Sequence, residues 1–223
     1  MISEFDTIAA IATPLSASGI GIIRVSGEQS AEFVDKIFSG RKHLYEYAPN
    51  TINYGHIVDS SGQMVDEVLV SVFKAPHSYT GENSVEINCH GGIYVLRKVL
   101  SLVYDTGIRP AEPGEFSKRA FLNGRMDFSE ASSVMDLISS GSEASYKNSL
   151  RQLSGFLSKK IKKLRSEIIH EAAFVEAALD DPEHYDLDGF DSKLSLLLNK
   201  WCSEINQLID SYHQGSLIKD GIN

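Results

Sequence analysis

The chain has 223 residues, 42% hydrophobic and 23% charged, with a formal net charge of −9. That balance excludes a disordered chain and gives no global pull toward nucleic acid, so any RNA contact needs a local basic patch. No run of about 18 apolar residues suggests a membrane span, the acidic opening "MISEFDTIAA" lacks the layout of a signal peptide, and Cys89 and Cys202 form neither a disulfide framework nor a zinc cluster, which points to a reducing cytoplasm.

In chain order, "DTIAAIATP" and "GIGIIRVSG" are predicted as two strands joined by the small-residue turn "LSASG". "EQSAEFVDKIFSG" has helical apolar spacing, and Gly40 suits the residue after a helix end. Two more strands follow, "INYGHIVD" and "EVLVSVFKA", separated by "SSGQ". A fifth, "SVEINCH", precedes a helix over "GIYVLRKVLSLVYDTG" that stops near Gly107. From Leu150 the period changes. Leu150, Leu153, Leu157, Ile161, Leu164, Ile168, Ala172, Val175 and Leu179 alternate between spacings of three and four, predicting one long helix. Ser140 and Glu143 offer a capping box for it. "DDPEHYDLDG" breaks the pattern, and Phe190, Leu194, Leu197, Trp201, Ile205, Leu208 and Tyr212 resume it. Two such stripes joined by a short loop predict antiparallel helices, with "FSEASSVMDLISS" as a shorter third. The fold class is α+β: a mixed α/β domain over residues 1–118, then an all-α segment over 119–223.

Period two sorts the site candidates. In "SVEINCH" Val85, Ile87 and Cys89 share one face, and Glu86, Asn88 and His90 the other. Cys89 is then a small buried hydrophobe, and His90 has no partner at metal-ligand spacing. Glu86 is the functional candidate, although an exposed strand carboxylate is the plainer alternative. Gly91 and Gly92 allow a close backbone approach or a positive φ. Arg24 shares a face with Ile20 and Ile22, so it either snorkels at a strand end or pairs with an anion. In "EPGEFSKRAFLNGRMDFSEA", Phe116, Ala120 and Phe121 are expected inward, with Lys118, Arg119 and Arg125 supplying charge. Lys159, Lys160, Lys162, Lys163 and Arg165 form a basic cluster, either a solvated helix face or a phosphate contact. No "GxxxxGK[ST]" phosphate loop and no nucleophile elbow occurs in the sequence.

"DTIAAIATP…GIGIIRVSG", "SYTGENSVEINCHGG" and "RPAEPGEFSKRAFLNGRMDFSEA", taken with "VEAALDDPE" and "QGSLIKDG", closely resemble the N-terminal region of the tRNA-modification GTPase family MnmE, also called TrmE. The resemblance implies an aminomethyltransferase-like domain that binds a tetrahydrofolate derivative, 5-formyl or methylene, and forms a homodimer. It further implies a cytoplasmic, heterotetrameric complex with MnmG that modifies carbon-5 of the tRNA wobble uridine. GTP, magnesium and potassium belong to an inserted GTPase domain, which in the family begins where this chain reaches Gly221-Ile222-Asn223. The family's folate contacts fall on Arg24, Glu86 and Arg125, the last a lysine in some members; no catalytic or metal-binding residue is implied here. A carboxylate can accept paired hydrogen bonds from a pterin edge, and arginine can grip the anionic glutamate tail.

Two alternatives belong to other classes. One is a non-catalytic scaffold, in which the α/β domain dimerises and the helices, with their lysines, dock MnmG or tRNA. The other is a free-standing aminomethyltransferase, disfavoured because long helices stand where that fold's second half belongs. Exposed apolar stripes on those helices would favour self-association.

Overall fold

The computed structural model describes residues 6–185 and 187–220, with side chains as far as Ser211. Tyr212 as a packing residue and the terminal Gly221-Ile222-Asn223 therefore lie outside the described side chains and residues. The chain forms two compact units, Met1–Met126 and Asp127–Asn223.

The first unit is built on β1 (Ile8–Ile11), β2 (Ile20–Ser26), β3 (Phe38–Gly40), β4 (Thr51–Val58), β5 (Met64–Phe73), β6 (Ser84–His90) and β7 (Arg109–Pro110). They make one seven-stranded sheet in the order β3-β4-β5-β6-β2-β1-β7. The pairings are antiparallel except that of β1 with β7, so the sheet is mixed. Alternation delivers Ile23 and Val25, Val68, Val70 and Val72, and Val85, Ile87 and Cys89 to one face. There α1 (Ser30–Asp35) and α2 (Ile93–Asp105) close the core through Val34, Leu96, Val99 and Val103. The opposite face carries Ile20, Ile52, Tyr54 and Leu69, each about half exposed or more. One further helix, α3 (Glu115–Leu122), ends the unit.

The expected helix up to Gly40 is shorter than its periodicity suggests. It ends at Asp35, and Phe38–Gly40 turns into an edge strand whose Phe38 and Gly40 pair with Ile57 and Gly55. The Phe38 ring occupies the space that a Cβ at Gly40 or Gly55 would need, so sheet packing overrides the helical pattern. Gly91 is likewise a close-approach residue, since a Cβ there would collide with the backbone of Ser18. Gly92 is the N-cap of α2.

The second unit is all helical: α4 (Phe128–Ile138), α5 (Glu143–Leu153), α6 (Phe156–Asp180) and α7 (Phe190–Asp220). The long helix expected from Leu150 is therefore two helices. Gly155, at φ +69°, makes the elbow between α5 and α6. Ser142, rather than Ser140, caps α5 by accepting from Ser145 N–H at 3.1 Å. The reciprocal capping box belongs instead to Asp127 and Glu130 of α4. The helices α6 and α7 run antiparallel as expected, held by Lys193–Glu171 at 2.7 Å and by Trp201 Nε1–H donating to Glu167 at 2.8 Å. Of the two stripes, Leu164 and Trp201 are buried, whereas Leu157, Ile161, Ile168, Leu179 and Ile205 remain exposed. Among the described residues, no helix is long and apolar enough to cross a membrane.

Candidate ligand-binding site

Arg24 and Glu86 are 62 residues apart in sequence, yet the antiparallel register of β2 and β6 sets them directly opposite each other. Arg24 Nε and Nη2 each lie 2.8 Å from Glu86 Oε1. The anion left open for Arg24 by its sequence position is thus Glu86 itself. Its guanidinium also lies 4.7 Å from the ring centre of Tyr79 and 5.7 Å from that of Phe116. Two aromatic faces and a carboxylate hold it in one orientation, a setting suited to a planar cation.

Arg24 and Glu86 border a cavity of about 320 Å³, together with Asn50, Phe73, His77, Tyr79 and Arg125. Arg125 arrives just past the end of α3, where its Nε–H donates to the Ser78 carbonyl at 3.2 Å. All three residues expected to form the site therefore line one cavity. Tyr79 was not singled out by sequence; it sits in the β5–β6 loop, where no periodicity assigns it a face. Its hydroxyl lies 2.9 Å from Ser117 Oγ, tying that loop to α3.

A partly buried charged cluster is joined to the cavity lining through Ser84, whose hydroxyl lies 3.3 Å from Ser26 Oγ. Arg109 pairs with Glu115 through contacts of 2.6 and 2.9 Å; Arg119 reaches Glu115 at 3.1 Å and Glu82 at 3.2 Å. Glu82 accepts from the Ser26 hydroxyl at 2.8 Å, and Ser26 Oγ is 2.6 Å from Thr80 Oγ1. The sequence pattern expects Phe121 inward and gives Arg119 only as a source of charge. The structure leaves Phe121 41% exposed and buries Arg119, 6% exposed, in its place. Arginine can occupy the inner position because two carboxylates neutralise it. The Arg109 guanidinium, the Glu112 backbone N–H donating at 2.8 Å and Arg119 together hold the Glu115 carboxyl down at about 2, against the opposing effect of burial.

Cys89 is buried, and burial pushes its thiol up to about 12, so it is poor as a nucleophile. His90 is hydrogen-bonded: its Nδ1 lies 2.7 Å from Asp66 Oδ1, and its backbone N–H donates to Asp66 Oδ2 at 2.9 Å. The hydrogen bond to Asp66 raises its pKa. Among the described residues, no cluster of three or more His, Cys, Asp or Glu is placed to hold a metal ion.

Two family models match the chain in series, the GTP-binding protein TrmE N-terminus over residues 7–125 and the MnmE helical domain over 128–223. The chain belongs to the MnmE (TrmE) family. It is 50% identical over 220 residues to the tRNA modification GTPase MnmE of Lachnoclostridium phytofermentans, covering 97% of this chain and 48% of that protein. The namesake of Carboxydothermus hydrogenoformans is 50% identical over 221 residues, again 97% of this chain and 48% of the relative. That of Bacillus cereus is 47% identical over 223 residues, or 98% and 48%. The chain thus spans about half the length of these curated relatives and corresponds to their N-terminal region. The mixed sheet and the helical unit after it agree with the α+β fold expected from sequence, and each is matched by its own family model.

Proposed function

We propose that the domain over residues 1–118, completed by the rest of α3 and the turn after it up to Arg125, binds a reduced folate and dimerises within a tRNA-modifying GTPase. The observation that carries this is the convergence of Glu86, Arg24 and Arg125 on one aromatic-walled cavity. A carboxylate there can accept from the amino group and ring N–H of a pterin, while two guanidinium groups suit the anionic tail. About 320 Å³ lies at the low end of ligand pockets. That volume suits a bicyclic head better than a whole folate, consistent with a second subunit completing the site. The apolar outer face of the sheet, with Ile20, Ile52, Tyr54 and Leu69, offers the surface for a homodimer.

In this proposal the parent protein hydrolyses GTP with magnesium and potassium and works in the cytoplasm with MnmG on carbon-5 of the tRNA wobble uridine. The folate, 5-formyl- or methylene-tetrahydrofolate, supplies the one-carbon unit. This chain contributes the folate site and the first helices of the docking scaffold, without catalytic residues of its own. The second reading, a scaffold that dimerises and docks MnmG or tRNA without folate, is favoured by the exposed apolar residues on both units.

Calorimetric titration with 5-formyltetrahydrofolate separates the two. Folate binding predicts a saturable site that Glu86→Ala and Arg24→Ala each weaken roughly tenfold or more, the value of one charged hydrogen bond. No heat from a folded, dimeric chain would leave the scaffold.

A further inference from the structure

Residues 144–166 contain no aspartate or glutamate and seven cations: Lys147, Arg151, Lys159, Lys160, Lys162, Lys163 and Arg165. The rest of the chain holds 14 basic against 30 acidic residues, a net of −16. So strong a local reversal is not a sampling of average composition. The segment is the whole α5–α6 elbow and the first turns of α6.

At 100° per residue, Lys159, Lys160, Lys162 and Lys163 span an arc of roughly 160° on α6. The buried Leu164 lies outside it, on the side toward which the apolar stripe points. All seven cations are exposed. Among the described residues, two of them are held in ion pairs along their own helices, Lys147 with Glu143 at 2.6 Å and Lys163 with Glu167 at 3.8 Å. The elbow itself is fixed: the Arg151 guanidinium of α5 lies 3.6 Å from the centre of the Phe156 ring of α6, and Lys159 Nζ donates to the Ser154 carbonyl at 2.8 Å. Tyr146, half exposed on α5, adds an aromatic ring beside the cations.

We infer that this elbow is an RNA-docking surface, its lysines and arginines contacting phosphates and Tyr146 available to stack on an unpaired base. The inference rests on the reading of the chain as part of a tRNA-modifying enzyme, which is what makes RNA the polyanion of choice. With a net charge of −9 over the chain, this basic segment also favours one orientation in which RNA can approach.

The test uses the full chain and a fluorescein-labelled anticodon stem-loop transcript, followed by anisotropy across a KCl series. Lys159→Gln, Lys160→Gln and Lys162→Gln together should weaken binding about tenfold at low salt and flatten the log K against log [KCl] slope by about two. Arg41→Gln, Arg97→Gln and Lys98→Gln, exposed on the other unit, should change it less than about twofold. The Trp201 unfolding transition reports whether the first triple variant keeps its fold; a folded variant with unchanged affinity overturns the inference. Equal losses in both triple variants overturn it too, as does binding to phosphatidylserine vesicles without binding to RNA. Loss of folate binding leaves this result untouched, so the two proposals fail separately.

Discussion

Glu115 is held between two arginines with its carboxyl lowered to about 2 from an ordinary 4.5. A depressed carboxyl stabilises the fold fully above the unfolded value and loses that contribution as pH falls through the folded one. The shift corresponds to something on the order of 3 kcal/mol, gained above about pH 4.5 and gone near pH 2. Glu115→Gln should therefore lower the urea midpoint of the α/β unit by circular dichroism at neutral pH, and the deficit should shrink toward pH 2. An unchanged midpoint at neutral pH would mean that the ion cluster adds nothing net. The same cluster shows where residue-level reading stops. Helical spacing gives Arg119 as a charge, and the inner position is tolerable because Glu115, one turn earlier, and Glu82, from a loop 37 residues earlier, both pair with it. Glu86 fared better, because strict alternation in β6 fixes its face without knowledge of any partner.

At the scale of elements, long strands and the α6–α7 pair were legible because their periodicity is local. The three-residue β3 and two-residue β7 were not, since so few residues carry no period. The break between α5 and α6 was hidden for a different reason: the three-and-four spacing of apolar residues continues across it, while Gly155 alone carries the turn. That glycine invites a direct test. A Cβ there would meet the Glu130 carboxylate at 2.7 Å in a left-handed backbone. Glu130 cannot simply move aside, because its other oxygen accepts from Asp127 N–H at 2.7 Å to complete the α4 capping box. Gly155→Ala should cost roughly 2 kcal/mol from the strained φ and the weakened cap together. Trp201, the single tryptophan, reads the helical unit directly. Its fluorescence melt should shift downward, and an unshifted melt would show that the elbow relaxes without loss. The pairing of Arg24 with Glu86 was beyond local pattern altogether, since it depends on which strands are neighbours in the sheet.

At the scale of the whole molecule, apolar side chains stand exposed on both units: Ile20, Ile52 and Leu69 on the sheet, and Leu157, Ile161, Leu196 and Ile205 on the helices. Surfaces of this kind associate. Light scattering over a concentration series should give a mass above the 24.6 kDa of one chain, rising with concentration unless a dimer closes the contact. A monodisperse monomer throughout would count against both the dimer and the exposed stripes as sticky surfaces. Ile52→Lys distinguishes the two sources, because it removes only the contribution of the sheet face.

The ion pair that lines the cavity has a consequence for selectivity. Within the pair the charges of Arg24 and Glu86 cancel, so an inorganic anion drawn to that guanidinium also meets the carboxylate, while Arg125 leaves the cavity lining with one further positive charge. A small cation suffers the converse. Only a molecule that offers hydrogen-bond donors to one member and acceptors to the other repays the separation of the pair. In the proposed reading, the favoured ligand is therefore amphoteric, with donor and acceptor edges matched to a spacing set by two adjacent strands.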